Sequence, residues 1–266
     1  MERLVQKTWT KFQDVPRSKR LMIAVSGIPG SGMYYGEHNN FPCSHIAGKT
    51  TLAARVAVRL NELYNEGHLG LHMDIATFLP MDGYHLTRAQ LSAMPDPHTA
   101  HARRGAAFTF DAPSFLELVK KLREPLCPET GTIFAPSFDH AVKDPVADDI
   151  PIPATSRIIV MEGNYLSLGT GAPEWRQAAE MMDELWFVEV DEDVARRRLA
   201  KRHVLSGIAA DEAAGFRRAD ENDLVNGHEI IEGRLPVTET IYSREDSEWK
   251  PEKQEIDKER DEPKAA

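Results

Sequence analysis

The chain has 266 residues, 41% of them hydrophobic and 28% charged, which is the size and composition of one soluble α/β domain or two small ones. Its 32 basic and 42 acidic residues give a net charge of -10, so no general electrostatic attraction draws it to nucleic acid or to an anionic membrane. Only two cysteines occur, which excludes a disulfide framework and fits a reducing compartment.

The N-terminal segment lacks the apolar stretch of a secretory signal, and the continuous apolar runs along the chain are too short to cross a bilayer. We therefore expect a cytoplasmic protein with neither a nucleic-acid nor a membrane partner. The oligomeric state stays open. An anionic ligand would have to be held by a local cluster of residues.

The first elements in the chain are predicted from apolar spacing. Residues 1–20 are predicted to form an amphipathic helical lead-in that ends near Pro16. The segment "RLMIAVSG" is an apolar run that ends in a glycine turn, which predicts a buried strand. Residues 49–67 carry leucine and valine at helical spacing, which predicts a helix.

Further along, the stretch "IATFLPMDG" is predicted to be a strand that ends in an aspartate, and Asp111 is predicted to cap a helix over residues 111–122. Two more strands are predicted in "SRIIVMEGNYL" and "DELWFVEVD", and a basic helix with its following loop in residues 191–207. Strands that alternate with helices indicate an α/β fold of three layers, a mostly parallel sheet with helices on both faces. This domain is expected to span residues 21–242, and the charge-dense residues 243–266 to form a disordered tail.

A broken phosphate-binding motif follows the first strand. Gly27–Gly32 supply its front half, "GIPGSG", and Lys49–Thr51 supply its back half, "KTT". In an intact loop, backbone amides turn inward around phosphates, the lysine reaches the β- and γ-phosphates, and a Ser or Thr hydroxyl binds Mg²⁺. The predicted nucleotide-binding residues are Gly27, Gly30, Ser31, Gly32, Lys49, Thr50 and Thr51.

The interruption between the two halves, Met33–Gly48, is sixteen residues long, and its removal leaves the complete motif "SGIPGSGKTTLA". We interpret it as a retained intron translated in frame. The codons for "GMY" permit a GTATGT 5′ splice site, and those for "AG" permit the 3′ CAG. A genuine surface insertion is the alternative, although a phosphate loop tolerates little extra backbone before its lysine.

Several segments occur in the order typical of one family. They are "SGIPGSG…KTTLA", "MDGYHL", "RRGAAFTFDAPSF", "PSFDHAVKDPV", "IIVMEGNYL" and "RRRLAKRHVLSG". Over about residues 21–230 the chain resembles the phosphoribulokinase/uridine kinase family of P-loop small-molecule kinases, near uridine, nicotinamide riboside and pantothenate kinases. The resemblance implies a P-loop NTPase fold with a helical lid, and ATP and Mg²⁺ as cofactors.

Carboxylates that follow two of the strands have expected roles. The resemblance implies that Asp82 is the general base for the acceptor hydroxyl and lies near Mg²⁺, which suits a reaction governed by positioning and charge neutralisation. Glu162 ends a buried strand, where a carboxylate needs a partner, and we expect it to bind Mg²⁺ together with Thr50 and Asp82. The alternative for Asp82 is a turn cap.

Two arginines lie on one face of the basic helix. Arg198 and Arg202 are four residues apart, and the family places here a lid whose arginines close over the transferring phosphates. We predict that they act with Lys49 and Asp82 in catalysis, while a solvated basic face is the alternative. Arg196 and Arg197 are expected to be structural.

The resemblance also indicates an acceptor pocket, for which ordinary structural roles are the alternative. Its predicted residues are Tyr84, His85, Arg104, Asp139 and His140. The predicted function is an ATP-dependent kinase that phosphorylates a hydroxyl of a small metabolite, a nucleoside or a related compound. The alternative is a nucleotide-binding or scaffold protein, in which the interruption displaces Lys49 from the glycine loop. A GTPase is disfavoured because the chain has no N-K-x-D motif.

Overall fold

Apolar runs bounded by polar turns form the central sheet. The structure of the protein is a computed structural model that describes residues 1–31, 48–68 and 73–243. Its strands are β1 (Leu21–Gly27), β2 (Ala76–Pro80), β3 (Ile133–Asp139), β4 (Asp144–Ile152), β5 (Ile158–Glu162), β6 (Glu184–Glu189) and β7 (Glu239–Tyr242). Five of them form a parallel sheet in the order β2-β5-β1-β6-β7, and β3 pairs with β4 as an antiparallel hairpin.

Helices connect the strands. They are α1 (Glu2–Gln13), α2 (Lys49–Gly67), α3 (Arg88–Ser92), α4 (Pro97–Ala102), α5 (Ala112–Arg123), α6 (Pro173–Glu180), α7 (Glu192–Leu205), α8 (Glu212–Arg218) and α9 (Leu224–Gly233). Two 3₁₀ turns, Met81–Tyr84 and Ala107–Thr109, and a π-helix, Ala219–Asp223, complete the described elements. In this part of the chain, none of the helices has the length and apolar character that crossing a bilayer requires.

Alternate residues of each strand enter two separate cores. In β1, Met22 and Ala24 pack with α5 and α6 on one face of the sheet, while Ile23 and Val25 pack with α1 and α2 on the other. Because successive side chains in a strand point to opposite faces, this division means that helices cover both sides. The predicted three-layer α/β fold is confirmed.

Several predicted elements agree with the structure in detail. The helix predicted over residues 49–67 is α2. The predicted cap at Asp111 is also present, since its Oδ1 accepts a hydrogen bond of 3.0 Å from the backbone N–H of Ser114. The N-terminal lead-in is α1, whose Leu4 and Val5 are buried in the core beside α2.

Other boundaries differ. The strand predicted to run to the aspartate in "IATFLPMDG" ends at Pro80, and the chain turns into a 3₁₀ helix in which the carbonyl of Asp82 accepts from the N–H of His85. The strand predicted in "SRIIVMEGNYL" begins only at Ile158, although it ends at Glu162 as predicted. The interruption apart from Gly48, and the predicted tail apart from Ser243, lie outside the described residues.

A buried carboxylate anchors α1 to the sheet. Glu184 in β6 accepts hydrogen bonds from Lys11 Nζ (2.5 Å), Lys7 Nζ (3.1 Å) and Thr238 Oγ1 (2.6 Å). Burial acts to raise the pKa of this carboxyl, but the three donors outweigh burial and lower it to about 2. The pair of lysines therefore stabilises the charged form of Glu184 in the folded protein.

We expect Glu184→Gln to lower the free energy of unfolding at pH 7 by about 2 kcal/mol, because two partly buried hydrogen bonds from lysines to a charged carboxylate are lost. Since the folded pKa lies below the ordinary value of 4.5, this stabilisation is complete above that pH and disappears as the pH falls toward 2. Urea unfolding at pH 7 and pH 3 measures both effects. Glu117→Gln, at an exposed ion pair within α5, is the control and should change neither value.

Candidate active site

The carboxyl ends of three neighbouring strands define the site. Glu162, the last residue of β5, lies in register with Val25 of β1 on one side and Pro80 of β2 on the other. The glycine loop after β1, the first turn of α2 and the 3₁₀ turn after β2 therefore meet around Glu162. This edge is where open α/β sheets bind their ligands.

The two halves of the broken phosphate motif are in contact. The Nζ of Lys49 donates to the carbonyl of Ile28 (3.1 Å) and to the hydroxyl of Ser31 (3.3 Å), although these residues are 21 and 18 positions away in the chain. These contacts argue against the alternative in which the interruption displaces Lys49 from the glycine loop. Gly32, which the motif also predicts as a ligand, lies outside the described residues.

Glycine is required at two positions of this loop. Gly27 has a φ of 154°, and a side chain there would come within 2.6 Å of the Val188 carbonyl. Gly30 has a φ of 79°, and a side chain there would come within 2.8 Å of the Ala195 carbonyl. Both backbone conformations are disfavoured for other residues. The backbone of the loop therefore packs closely against β6 at Gly27 and against α7 at Gly30. Ser31, in the same loop, is buried.

A hydroxyl and a carboxylate lie together at the start of α2. Thr50 Oγ1 donates to Glu162 Oε2 over 3.0 Å. Burial raises the pKa of Glu162 to about 7, against the influence of Lys49, and burial also lowers the pKa of Lys49, against the influence of Glu162. Both shifts have the same first cause, because burial keeps the two groups from water and disfavours their charged forms. Thr51 lies in the same helical turn.

Asp82 faces this space from the neighbouring strand. It lies in the 3₁₀ turn after β2, and its side chain is 43% exposed. Its charge raises the pKa values of both Lys49 and Glu162, so the three groups interact electrostatically. The described residues contain no cluster of three or more His, Cys, Asp and Glu side chains that could hold a metal. A metal here would take most of its ligands from nucleotide and water.

The two predicted lid arginines differ in their surroundings. Arg198 donates to the carbonyl of Gly30 (3.5 Å) and to Ser243 Oγ (3.0 Å), so it lies against the glycine loop. Arg202, one turn later on α7, has its Nη2 3.8 Å from Asp223 Oδ1, and its charge contributes to the lowered pKa of Lys49. Arg196 instead pairs with Asp220, in line with its expected structural role.

The predicted acceptor residues next to Asp82 are largely buried. Tyr84 is 5% exposed, and burial raises its pKa. The ring of His85 lies 4.0 Å from that of Phe110 and 4.9 Å from that of Phe138. Burial lowers the pKa of His85, which keeps the ring neutral near pH 7. Its Nδ1 is 2.8 Å from the carbonyl of Asp82.

The other predicted acceptor residues lie on or beside the hairpin of β3 and β4. Arg104 donates to Asp144 Oδ1 (3.2 Å) and lies over the ring of Phe138. Asp139 accepts from two backbone N–H groups of the hairpin turn, which keep its pKa below the ordinary value. His140 is exposed beside Phe138. Their part in substrate binding stays a prediction, and for Asp139 the structure shows a turn-capping role.

Two aspartates near the site are not among the predicted site residues. Asp144 accepts from both Arg88 and Arg104 and so joins the hairpin to the acceptor side. Asp223 contacts Arg202 and a buried histidine of α7. Each role depends on a partner from a distant part of the chain, which spacing within one segment does not reveal.

Several curated proteins are similar to the chain in sequence. An ATP-dependent kinase-like protein from Aspergillus versicolor is 56% identical over 161 residues, which are 60% of this chain and 92% of that protein. A provisionally named uridine kinase from Schizosaccharomyces pombe is 37% identical over 208 residues, 78% of this chain and 77% of that protein. The ATP-dependent kinase YFH7 from Kluyveromyces lactis is 35% identical over 243 residues, which cover 75% of this chain and 68% of that protein.

Solved structures agree with this relationship. A provisionally named fructose transport system kinase from Silicibacter has a TM-score of 0.69 and 29% identity, over 89% of this chain and 96% of that one. YFH7 from Saccharomyces cerevisiae, described as a P-loop kinase with a circular permutation, has a TM-score of 0.75 and 24% identity. The match covers 92% of this chain and 99% of that one, and it shows that the two proteins share a fold. No protein-family model matches the chain. The extent of identity to the yeast kinases nevertheless places it: the chain belongs to the uridine kinase-like family of ATP-dependent P-loop small-molecule kinases.

Proposed function

We propose that the protein transfers the γ-phosphoryl group of ATP to a hydroxyl of a nucleoside or a related small metabolite. The observation that carries this proposal is the convergence of three chemically different groups at one edge of the sheet. They are the buried ammonium of Lys49, the paired Thr50 and Glu162, and the half-exposed carboxylate of Asp82. Phosphoryl transfer needs these three kinds of group together.

The phosphate side of the reaction belongs to the glycine loop and α2. Lys49 would exchange its present bonds to Ile28 and Ser31 for oxygens of the β- and γ-phosphates, which restores a counter-charge to a buried cation. The donor set also fits Mg²⁺, because a hydroxyl and carboxylate oxygens are hard ligands and the ion keeps waters and phosphate oxygens for its other positions. Thr50, Glu162 and Asp82 would hold it, and bound Mg²⁺ would neutralise phosphate charge.

The acceptor side belongs to the turn after β2. Asp82 would orient the acceptor hydroxyl and take its proton while the acceptor oxygen bonds to the γ-phosphorus and the bond to the β-phosphate oxygen breaks, releasing ADP. Arg202 and Arg198 would balance the charge on the transferred group. The ring of His85 packs against Phe110 and Phe138, and its Nδ1 contacts the carbonyl of Asp82. We therefore assign the proton-accepting role to the half-exposed carboxylate of Asp82.

The acceptor class rests on the relatives and on the surroundings of His85. One relative at 37% identity bears the name of a uridine kinase, and the partly exposed ring of Phe138 beside His85 supplies flat apolar surface of the kind that a nucleobase packs against. A groove of about 490 Å³ begins at Gly83, Tyr84 and His85 and runs along the hairpin. We therefore place nucleosides ahead of pantothenate and sugars as acceptors.

The interruption of the motif supports a second candidate, a nucleotide-binding or scaffold protein with little turnover. Its basis is the sixteen residues that separate Gly32 from Lys49 in the chain. An intact loop places backbone amides directly before the lysine, and extra backbone there would weaken the hold on the transferring phosphate.

Paired ATP-turnover assays on the full chain and on the chain lacking residues 33–48 test both candidates. With Mg²⁺ and a panel of nucleosides, pantothenate and sugars, we expect ADP formation to depend on a nucleoside and to be faster in the shortened chain, because its motif is continuous. Equal rates would mean that the interruption is a tolerated surface excursion. If neither chain forms ADP with any acceptor, the scaffold function takes the place of the kinase function.

A further inference from the structure

A group of buried polar side chains lies between α7 and α9. His203, Asn222, Asp223 and Asn226 are each at most 8% exposed, a concentration of polar groups that is costly unless they are paired. Asn222 and Asn226 use their side-chain oxygens to accept from Arg103, at 2.9 and 2.6 Å. Asp223, between them in the chain, points its carboxylate to α7 instead.

The carboxylate of Asp223 contacts two consecutive residues of α7, one with each oxygen. Oδ2 is 2.8 Å from His203 Nε2, a buried contact, and Oδ1 is 3.8 Å from Arg202 Nη2. Asp223 ends the five-residue π-helix Ala219–Asp223. Such π-helical turns are rare and are frequently found at functional sites. The short contact to His203 fixes the position of the Asp223 carboxylate. The contact to Arg202 is longer than a hydrogen bond, so it orients the guanidinium and leaves it able to bind an anion as well.

The same part of α7 lies against the phosphate loop. Arg198, one turn before Arg202, donates to the carbonyl of Gly30, and a side chain at Gly30 would collide with Ala195 and Leu199 of α7. Residues four apart lie above one another on a helix. Arg202 therefore lies on the same side of α7 as Arg198, toward the phosphate loop, which agrees with its influence on Lys49.

We propose that Asp223 is a positioning residue of this kinase, whose carboxylate, held by His203, directs the guanidinium of Arg202 toward the γ-phosphate of ATP. The inference rests on the proposed role of Arg202 over the transferring phosphate. A fixed arginine loses less side-chain entropy when it binds an anion than a freely rotating one. The aspartate would act through Arg202 and would not touch the substrate.

The test is the affinity of the full chain for Mg·ATP and Mg·ADP, measured by isothermal titration calorimetry without any acceptor. Only ATP has the γ-phosphate, so we expect Asp223→Asn to weaken Mg·ATP binding by about tenfold and to leave Mg·ADP binding within about twofold. His203→Gln, which removes the group that fixes Asp223, should shift the ratio of the two affinities in the same direction. If Asp223→Asn does not fold, His203→Gln provides the test in its place.

The matched control is Asp220→Asn. Asp220 belongs to the same π-helix and pairs with Arg196 of the same helix α7, but that pair is exposed and is no part of the site. This variant should leave both affinities unchanged. A loss of Mg·ATP and Mg·ADP binding of equal size in Asp223→Asn would overturn the inference, because it would mark a purely structural role.

Arg202→Gln separates the inference from the proposed function. In that background Asp223→Asn should have no additional effect on Mg·ATP binding, since its partner is already absent. If Arg202→Gln lowers Mg·ATP affinity and Asp223→Asn does not, the positioning role is wrong while the site assignment holds. If Arg202→Gln itself has no effect, or if the full chain does not bind Mg·ATP, the assignment of Arg202 fails and the inference fails with it.

Discussion

Asp82→Asn is expected to lower the rate of phosphoryl transfer by about a thousandfold while the protein still binds Mg·ATP, because the amide has the shape of the carboxylate but cannot take the acceptor's proton. The side chain is 43% exposed and lies in a 3₁₀ turn held by backbone hydrogen bonds, so folding should not change. Single-turnover kinetics with the acceptor from the panel measures the chemical step, and calorimetry measures Mg·ATP binding.

The control for this variant lies at the other end of the same strand. Asp74 is an exposed aspartate just before β2, about one strand length from the site, and Asp74→Asn should keep the wild-type rate. A rate in Asp82→Asn within about tenfold of wild type would contradict the general-base role. Asp82 would then be a turn residue, the alternative that its position after a strand leaves open.

The sequence predicted the parts of the site that depend on local pattern. Fully buried strands such as β1 and β5 appear as continuous apolar runs, and the residues that follow them have only one edge of a parallel sheet to occupy. The placement of Lys49 beside Ser31, and of Glu162 beside Thr50, follows from that rule together with the phosphate motif. Without the interruption the two halves of the motif form one continuous phosphate-binding sequence.

The hairpin of β3 and β4 could not be predicted in the same way. The strand β4, "DPVADDIPI", carries three aspartates and two prolines and is largely exposed, so it shows neither an apolar run nor the alternation of a half-buried strand. It is held by pairing with β3 and by the contacts of Asp144 with Arg88 and Arg104. A strand that is stabilised mainly by a partner elsewhere in the chain cannot be predicted from its own composition.

The same limit applies to Asp223. The residues that precede it are mostly polar, and the segment "RRADEND" has the composition of a solvated helical surface. The structure instead buries Asn222 and Asp223. Arg103 is the partner of Asn222, and His203 of α7 is the partner of Asp223. The burial of a polar residue that depends on a hydrogen-bond partner can be predicted only when the position of that partner in the fold is known.

The second large effect is expected from Lys49→Met, which should reduce transfer by about a thousandfold and yet leave the nucleotide-free protein at least as stable to heat. Lys49 is 8% exposed, and burial lowers its pKa, so without phosphates its charge is held at a cost. Methionine has a similar length, fills the same space and carries no charge to desolvate. Glu162 would lose a neighbouring cation, and its pKa, already raised to about 7 by burial, would rise further, which keeps the carboxyl neutral.

Thermal melting without nucleotide and turnover with ATP give the two readings, and Lys120→Met, at an exposed lysine of α5, is the control that should change neither. A lower melting temperature in Lys49→Met would mean that the bonds to Ile28 and Ser31 stabilise the fold. Near-normal turnover would mean that another cation holds the phosphates. Loss of turnover with unchanged or higher stability is the combination expected of a residue kept for catalysis, since a charge that is costly in the free protein becomes favourable once the phosphates of ATP lie beside it.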